Sequence, residues 1–287
     1  MSDSQGGWRM TTLALHALTA AIGSEVVGVH LADVPTDAEL AVELRAALAE
    51  RLVLTFRAQD LDDETHKSVA SVFGEPMVHP IMRALGGDEP MEEISDSAEK
   101  LPDRDGWHTD APFLERPPGV AVLRAVTVPE AGGDTLWANM ELAYDALSPL
   151  MRQLLDGLRV HYPPQEGLFT YVAEHLGEDV AEKTREITGA GGLHPVIRTH
   201  PVTGRRAVYY AEGFAGAFDG LHADEGAALR SLLVRLPADP SRQCRWNWKA
   251  GDVVIWDERS TQHFGAADHR GMARTIKRVM VQGEVPA

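Results

Sequence analysis

The sequence predicts a mainly β fold with flanking helices, and its pattern is closest to a jelly roll. Strand patterns dominate after residue 193, where turns at Thr203-Gly204 and Ala250-Gly251 separate short apolar runs. Amphipathic helical patterns lie mostly before that point. No internal repeat is visible, which argues against solenoid and propeller folds. These observations favour a core of strands with helices packed outside.

The first part of the chain alternates predicted strands and helices. We expect a strand over residues 25–31, a helix from Thr36 to about Leu52, a strand over 52–56 and a helix over 62–73. The start of the first helix rests on a capping box. In this box the Thr36 hydroxyl binds the amide of Glu39, and the Glu39 side chain reaches back.

The later elements follow from the same patterns. We expect a strand over residues 120–128 and a helical segment over 139–158. That segment should break at Ser148-Pro149, because serine is a good N-cap and proline suits the first helical position. The remaining predicted elements are strands over 196–199, 207–210, 245–248, 253–256 and 274–281 and a helix over 223–236.

Two segments lack a clear period. One, at about 78–106, is acidic and contains glycine and proline, and the other, at 162–192, ends in Gly189-Ala190-Gly191-Gly192. Long irregular segments inside a compact domain are usually functional or disordered, so we predict that both are lid insertions. The expected organisation is a disordered start at 1–10 and a single domain over 11–287.

Charge and composition exclude several classes of protein. The chain has 27 Lys and Arg against 43 Asp and Glu, a net charge of −16, whereas nucleic-acid binders cluster positive charge against phosphates. No apolar run approaches the ~18 residues that suggest a membrane helix. The single cysteine, Cys244, cannot form an internal disulfide, which is typical of a reducing compartment. We therefore expect a cytoplasmic protein without nucleic-acid or membrane partners.

The motif Trp107-His108-Thr109-Asp110 is the first chemical signal. In an extended segment residues i and i+2 point to the same face, so His108 and Asp110 can present an imidazole and a carboxylate to one ion. A distant histidine would complete the 2-His-1-carboxylate triad of non-haem Fe(II) oxygenases, which leaves coordination positions open. Alone the motif is not specific, because a structural loop histidine gives the same pattern.

The segment from Gly251 to His263 adds to this signal. Arg274 follows His263 after an interval that suits a hairpin returning the chain past the histidine. A guanidinium there can bind a carboxylate bidentately beside the metal. A metal with open positions and a fixed arginine suit a chelating keto-diacid, one end of which binds the ion and the other the arginine.

Several sequence blocks together resemble the taurine dioxygenase-like (TauD/TfdA) family of Fe(II)- and 2-oxoglutarate-dependent dioxygenases. The blocks are WHTD at 107–110, GGDTLW at 132–137, HPVIRTHPVTGR at 194–205, EGF at 212–214 and the stretch from WDERSTQH at 256–263 to Arg278. The resemblance covers nearly the whole chain. It implies that His108, Asp110 and His263 are the iron ligands. It also implies that Thr135 and Arg274 hold the distal carboxylate of 2-oxoglutarate.

The resemblance also implies a fold, an assembly and a reaction. The fold is a double-stranded β-helix, which is a distorted jelly roll, and the assembly is a homo-oligomer, a dimer or tetramer. The reaction uses Fe(II), 2-oxoglutarate and O2. It couples decarboxylation of 2-oxoglutarate to succinate and CO2 with oxidation of a substrate C–H bond. The protein supplies binding, orientation and exclusion of water, and the lids would close the site.

Four residues are candidates for the substrate site. Arg278, on the strand face of the cosubstrate arginine, and His79 match residues that contact substrate in taurine dioxygenase. Phe214 of the EGF block matches an aromatic of the pocket wall there. Met82 and Arg104 stand where that enzyme has a tyrosine and an asparagine that contact the polar end of taurine. Met82 suggests a more apolar and adaptable wall.

We therefore expect the substrate to be a small, largely apolar anion, such as an alkyl sulfate, an aromatic acid or a terpenoid carboxylic acid. The composition would suit an enzyme of secondary metabolite biosynthesis. Taurine or an alkylsulfonate, oxidised in sulfur scavenging, is the alternative. The sequence does not separate hydroxylation from desaturation, epoxidation or ring expansion, because one iron chemistry serves all four.

Two other classes of function stay open. A zinc hydrolase could use the same triad, although it would leave Thr135 and Arg274 without a role. A non-catalytic jelly-roll binding protein is also conceivable, since fold does not fix function. We further expect His194 and His200 to be structural and His269 to be exposed.

Overall fold

The structure is a computed structural model, and it describes residues 13–98, 106–164, 166–269 and 271–287. The strands are Ala14–Ala17 (β1), Ser24–Val27 (β2), Val53–Phe56 (β3), Pro76–Met77 (β4), Met91–Asp96 (β5), Pro118–Thr127 (β6), Thr135–Asn139 (β7), Arg159–Tyr162 (β8), Gly192–Pro195 (β9), Ile197–Thr199 (β10), Arg206–Val208 (β11), Gln243–Trp246 (β12), Val253–Asp257 (β13), Thr261–Gly265 (β14) and Arg274–Gln282 (β15). The helices are Ala38–Arg51 (α1), Asp63–Ser71 (α2), Pro80–Ala84 (α3), Met140–Asp145 (α4), Pro149–Asp156 (α5), Glu166–Leu176 (α6), Glu178–Thr188 (α7) and Ala223–Leu233 (α8).

Two sheets form the distorted jelly roll that the sequence predicts. Among the described residues, the larger sheet has eight strands in the order β1-β2-β3-β13-β6-β15-β4, with β5 paired to β15. The smaller sheet has the order β12-β7-β14. Strands β2 and β3 are parallel, whereas the pairs that flank the site, β15 with β6 and β14 with β7, are antiparallel.

The larger sheet is apolar on both faces. Along β13, Val253 and Ile255 pack with the helices α1 and α2, whereas Val254 and Trp256 join the core between the two sheets. This alternation is the period of two that a strand imposes on its side chains. Across the core Trp137 of β7 lies against Trp256, with ring centroids 5.7 Å apart.

The alternation along β15 places two arginines between the sheets. Ile276 and Met280 lie in the core between the sheets, and Val279 lies on the helical side. Arg274 and Arg278 have the parity of Ile276 and Met280, so their side chains leave the strand towards the smaller sheet. The shared face of the two arginines, expected from the sequence, follows from this packing.

The predicted capping box at Thr36 is wrong. The N-cap of α1 is Asp37, whose carboxylate accepts hydrogen bonds from the amides of Glu39 and Leu40. The Thr36 hydroxyl instead donates to the carbonyl of Asp33. A carboxylate satisfies two amides at once and is favoured by the positive end of the helix, so it takes the cap position.

The break predicted at Ser148-Pro149 is confirmed. Helix α4 ends at Asp145, and α5 starts at Pro149 with Ser148 as its N-cap. The Ser148 hydroxyl accepts a hydrogen bond from the amide of Met151. The orphan amides of the second helix are thus partly satisfied by its own cap.

The two segments predicted to be irregular contain regular elements. Residues Met91–Asp96 form β5, which pairs with β15 over six residues from Arg274 to Val279. Residues 162–192 contain α6 and α7. These helices pack against α3 through a small apolar cluster made of Ala84, Val172, Val180 and Ala181.

Some expectations lie outside the described residues. The predicted disordered start at 1–10 and the residue Arg104 belong to segments that the structure does not describe. Within the described ranges, no helix is long and apolar enough to cross a membrane. Cys244 is buried, and burial raises the pKa of its thiol to about 12.

Candidate active site

Two segments meet to form a cluster of potential metal ligands. His108 and His263 exchange both backbone hydrogen bonds, with N–O distances of 3.0 and 2.7 Å. They are therefore directly opposite residues of an antiparallel pair, whose side chains share one face. Their imidazole centroids are 4.2 Å apart, and Asp110, two residues after His108, adds its carboxylate to the cluster.

The three side chains fit a divalent cation. Asp110 Oδ1 lies 3.9 Å from His108 Nε2 and 3.8 Å from His263 Nε2, and the three ligand atoms lie within 4.8 Å of one another. Neighbouring ligands of an octahedral ion, each about 2.1 Å from the metal, are about 3 Å apart. Small rotations would therefore close the cluster on an ion. Two nitrogens and one oxygen on one side leave further positions open.

The protonation states suit metal binding. His108 Nδ1 donates a hydrogen bond to the carbonyl of Gly106 at 2.9 Å, which leaves the lone pair on Nε2. Burial lowers the pKa of His263 to about 3, so this imidazole is neutral. Burial alone would raise the pKa of Asp110, but the Arg278 guanidinium lowers it below its usual value. Neutral imidazoles and an ionised carboxylate are the forms that bind metal.

Glu258 is a buried carboxyl group beneath this cluster. Its Oε2 accepts hydrogen bonds from the Thr109 hydroxyl at 2.7 Å and the Asp110 amide at 3.2 Å. Its Oε1 accepts one from Trp256 Nε1 at 2.7 Å and lies 3.9 Å from Nδ1 of His263. Burial and the charge of Asp110 raise the pKa of Glu258. Glu258 lies within the WDERSTQH block, but the sequence pattern alone predicts no role for it.

Thr135 lies on the face of the smaller sheet that carries His263. On β7 it lies two residues before Trp137, the register partner of His263, so the three side chains point to the same face. Trp248 Nε1 donates a hydrogen bond to the Thr135 hydroxyl oxygen at 3.0 Å. Because the indole occupies a lone pair, the Thr135 O–H is left as a donor for a ligand.

A turn with two glycines brings the Thr135 segment against Arg274. Gly132 and Gly133 have φ angles of 83° and 71°, a region that favours glycine. A Cβ on Gly133 would lie 3.1 Å from Arg274 Cδ, so a larger residue would press on the arginine. The Gly133 amide donates to Asp268 at 2.8 Å, which fixes the turn.

Arg274 has an unexpected setting. It is paired in register with Asp96 of β5, whose Oδ2 lies 3.7 Å from Nη1 of the arginine and 3.0 Å from Nε2 of His269. His269 is only 2% exposed, so its expected exposure is wrong. Strand β5, which the sequence pattern did not predict, brings Asp96 to this histidine.

The expected hairpin between His263 and Arg274 is also wrong. His263 belongs to β14 of the smaller sheet, whereas Arg274 begins β15 of the larger sheet. The connection therefore crosses from one sheet to the other. The two side chains consequently face the space between the sheets from opposite walls.

A cavity of about 330 Å³ lies beside Asp110. Its walls are mostly apolar and are formed by His79, Asp110, Ala111, Phe113, Leu168, Phe214, Arg278 and Met280. Three of the four candidate substrate residues line it. Met82 does not, and its methyl Cε is directed towards Gly87, 3.7 Å from the place where a Cβ on that glycine would lie.

Four residues that line the cavity had no role assigned from the sequence, namely Ala111, Phe113, Leu168 and Met280. Leu168 belongs to α6, inside a segment predicted to be irregular, so no helical face was assigned to it. Met280 follows Arg278 by two residues on β15. The parity used for the arginines could have placed this methionine on the same face.

Arg278 and His79 are the polar groups of the cavity other than Asp110. Arg278 donates from Nη1 to Asp110 Oδ2 at 2.8 Å and from Nε and Nη2 to Glu92 Oε2 at 3.0 and 2.8 Å. Burial opposes its charge, but the two carboxylates raise the pKa of Arg278 above its usual value. His79 Nδ1 accepts from the Ile81 amide at 3.3 Å. Burial lowers the pKa of His79, so the neutral ring carries its proton on Nε2.

Comparisons with known proteins identify the family. Residues 14–280 match the taurine catabolism dioxygenase TauD, TfdA family. An alkylsulfatase from Acinetobacter baylyi is 33% identical over 95% of this chain and 86% of its own. An alpha-ketoglutarate-dependent sulfate ester dioxygenase from Pseudomonas putida is 33% identical over 96% of this chain and 91% of its own.

Solved structures give the same result for the fold. A taurine dioxygenase from Burkholderia xenovorans superposes with a TM-score of 0.79 and 32% identity, over 96% of this chain and 92% of that one. A second structure, AAD-2 in complex with Mn(II) and N-oxalylglycine, superposes with a TM-score of 0.77 and 26% identity, over 96% of this chain and 99% of that one.

Proposed function

Because the chain belongs to the taurine catabolism dioxygenase TauD, TfdA family, we propose that it oxidises the carbon next to the sulfate group of an alkyl sulfate. The reaction class follows from the family. The protein is a non-haem iron oxidoreductase that uses Fe(II), 2-oxoglutarate and O2. Its substrate is a small molecule, and we propose that this molecule is an alkyl sulfate.

We assign the metal to His108, Asp110 and His263, whose donor atoms converge within 4.8 Å. Bound there, the iron and 2-oxoglutarate supply the oxidation of a C–H bond, with succinate and CO2 as coproducts. We assign the distal carboxylate of 2-oxoglutarate to the Arg274 guanidinium and to the Thr135 O–H, which Trp248 leaves free to donate. The two groups lie on opposite sheets, so they can hold the cosubstrate between the walls of the jelly roll.

The single observation that carries the substrate proposal is the 2.8 Å hydrogen bond from Arg278 to Asp110. An anionic group held by Arg278 and by His79 Nε2–H would lie next to a metal ligand. The carbon attached to that group would then be the part of the substrate nearest the metal. The apolar walls at Phe113 and Phe214 suit an alkyl chain.

The proposed outcome releases sulfate. Oxygen inserted into the C–H bond of the carbon bearing the sulfate gives a 1-hydroxyalkyl sulfate. This species expels the sulfate group and leaves an aldehyde, so each alkyl sulfate, 2-oxoglutarate and O2 yield an aldehyde, hydrogen sulfate, succinate and CO2. The relatives named alkylsulfatase and sulfate ester dioxygenase support this assignment.

A second candidate is an alkylsulfonate such as taurine. A sulfonate offers the same tetrahedral monoanion to Arg278 and His79, and a structural neighbour is named a taurine dioxygenase. Aromatic and terpenoid carboxylic acids remain in the substrate panel because a planar carboxylate also suits a guanidinium.

The test is a substrate panel under one set of conditions. Hexyl sulfate, hexanesulfonate, taurine, hexanoate and a phenoxy acid are compared by O2 uptake, succinate formation and release of inorganic sulfate. We expect the highest kcat/KM for hexyl sulfate, with one sulfate released per succinate. Turnover of taurine or of a carboxylic acid as fast as that of hexyl sulfate would overturn the assignment.

We further propose that the insertions at about 78–106 and 162–192 act as lids on a single catalytic domain. The apolar cluster at Ala84 and Val172 joins the two insertions, and Leu168 extends from the second insertion into the cavity wall. Limited proteolysis tests this role, because substrate and 2-oxoglutarate should protect both insertions together.

We also propose that the enzyme is a cytoplasmic homo-oligomer. Support for the location comes from the lone buried thiol of Cys244 and from the negative charge of the chain. Support for the assembly comes from the family resemblance. Light scattering of the purified protein measures its mass directly, and a mass equal to one chain would exclude the assembly.

A further inference from the structure

We infer that Glu92 sets the charge specificity of the substrate cavity by competing with the substrate anion for Arg278. The inference rests on the anion site proposed above. Glu92 lies on β5, a strand that the sequence pattern did not reveal, and no candidate role was given to it. Its carboxylate and the guanidinium are both largely buried, with 18% and 17% of their side chains exposed.

The geometry shows how much of Arg278 is already engaged. Nε and Nη2 both donate to Glu92 Oε2, at 3.0 and 2.8 Å, and Nη1 donates to Asp110 Oδ2 at 2.8 Å. A guanidinium has five N–H donors. Among the described residues, these bonds leave one N–H on each terminal nitrogen for a substrate. The substrate anion therefore binds an arginine whose Nε and Nη2 already donate to the Glu92 carboxylate.

The charges of the cavity lead to the same conclusion. The positive charge of Arg278 is balanced by Glu92, while the charge of Asp110 belongs to the proposed metal site. His79 is neutral and contributes one N–H donor. A substrate anion thus meets hydrogen-bond donors without a net excess of positive charge from the protein. Because Coulomb repulsion is proportional to charge, Glu92 repels a doubly charged head group about twice as strongly as a singly charged one at the same distance.

This arrangement separates two head groups of similar shape. Sulfate monoesters carry one negative charge at neutral pH, whereas phosphate monoesters carry nearly two above their second pKa of about 6. Both are tetrahedral and both suit arginine. Size alone would not distinguish them in a cavity of about 330 Å³. The Glu92 carboxylate discriminates between the two head groups because it repels the second negative charge of the phosphate monoester.

The substitution Glu92→Gln tests the inference because it removes the charge and keeps the size of the side chain. Binding of hexyl sulfate, hexanesulfonate, hexanoate, hexyl phosphate and hexanol is measured at pH 8 by calorimetry, on enzyme loaded with Mn(II) and N-oxalylglycine. The matched control is Glu93→Gln, since Glu93 is exposed and its side chain lies on the opposite face of β5. Thermal unfolding of each variant verifies that it is folded.

We expect Glu92→Gln to bind hexyl phosphate at least about tenfold more tightly than the unaltered enzyme, because one repulsive charge is removed at short range. Binding of the single-charge anions should tighten less, and that of hexanol should not change. Glu93→Gln should leave all affinities unchanged. The ratio of phosphate to monoanion affinity therefore reports on Glu92, whichever monoanion binds best.

Three outcomes would overturn the inference. An unchanged phosphate-to-monoanion ratio would show that Glu92 does not select charge. Weaker binding of every anion by Glu92→Gln would show that Glu92 only holds Arg278 in place. No anion binding by any of the proteins would remove the anion site itself. A failure of the sulfate proposal looks different, because carboxylates or sulfonates would then bind best while the effect of Glu92→Gln on the ratio persists.

Discussion

The metal-and-cosubstrate region and the substrate cavity of this protein are built in different ways. In the first region, His108 and His263 face each other through paired backbone hydrogen bonds, and Thr135 lies on the same sheet. In the cavity, the walls come from His79 at the N-cap of α3, from α6 and β15, and from the loops around Phe113 and Phe214. The first region is thus fixed by neighbouring strands, whereas the second depends on how separate segments pack.

This difference separates the residues proposed to bind metal and 2-oxoglutarate from those proposed to select the substrate. The residues proposed to bind metal and 2-oxoglutarate are held by the sheets, and their partners are backbone groups or buried side chains such as Glu258 and Trp248. The cavity residues contact one another mainly through side chains. We therefore expect substitutions in the first region to reduce activity with every substrate, and substitutions in the cavity to change one substrate relative to another.

The largest effect is expected from Arg274→Met. Removing one partner of a buried charge pair costs about 2–5 kcal/mol, so 2-oxoglutarate should bind more weakly by that amount while affinity for the metal changes little. Calorimetry with Mn(II)-loaded enzyme measures both. The control is Lys277→Met, on the opposite face of β15 and paired with Asp63. Equal losses in the two variants would contradict the role of Arg274.

Acid should destabilise the larger sheet, which carries Arg274 and Arg278 on β15. His66 is fully buried, its Nε2 lies 3.1 Å from the carbonyl of Val122 on β6, and burial lowers its pKa from 6.5 to about 4. The unfolded chain therefore binds more protons between these values, and stability falls as pH drops through that window. At ~1.4 kcal/mol per pKa unit the loss is about 3 kcal/mol.

The variant His66→Gln isolates this effect. Glutamine keeps a donor for Val122 but does not titrate. Urea unfolding at several pH values should show that the unaltered enzyme loses more stability than the variant between pH 6.5 and 4. Identical pH profiles would show that His66 is not the buried group that titrates.

A smaller effect is expected from Glu258→Ala. Groups that orient metal ligands typically contribute about 10–100-fold to metal affinity, and Glu258 contacts the segments of both Asp110 and His263. Calorimetric titration with Mn(II) should show this loss. Glu258→Gln, which retains an acceptor for Trp256, should lose less. Unchanged metal affinity in Glu258→Ala would show that the carboxyl group only fills space.

The smallest effect is expected in the cavity from Leu168→Ala. Removing part of one apolar wall costs about 1 kcal/mol, so the KM for an alkyl substrate should rise severalfold while the KM for 2-oxoglutarate is unchanged. Leu176→Ala is the matched control, since this leucine of α6 is 43% exposed. A change in the KM for 2-oxoglutarate would contradict the separation of the two regions.

The sequence predicted the first region better than the second for a physical reason. The spacing of His108 and Asp110 is a local pattern that strand geometry converts directly into position, whereas His263 and Thr135 were assigned through the family resemblance of their sequence blocks. The parity of Arg274 and Arg278 along β15 works in the same way as the spacing of His108 and Asp110.

The errors concern groups whose environment is set by distant segments. Strand β5 was not predicted because its inward-facing Glu92 is charged. The strand therefore lacks the alternation of apolar and polar residues that identifies a strand in a sequence. Without β5, the burial of His269 and its contact with Asp96 had no visible cause. The role of Met82 was assigned by resemblance alone and stays a prediction, and Met82 is not among the residues that line the cavity.

The most direct test of the central claim is an anaerobic titration of the apoprotein with Fe(II) and 2-oxoglutarate. Chelation of iron by the keto-acid should produce a visible metal-to-ligand charge-transfer band, and hexyl sulfate should shift it. His263→Ala, verified as folded by circular dichroism, should give no such band. Absence of the band from the unaltered, folded enzyme would contradict the assignment of His108, Asp110 and His263 as an iron site that holds 2-oxoglutarate.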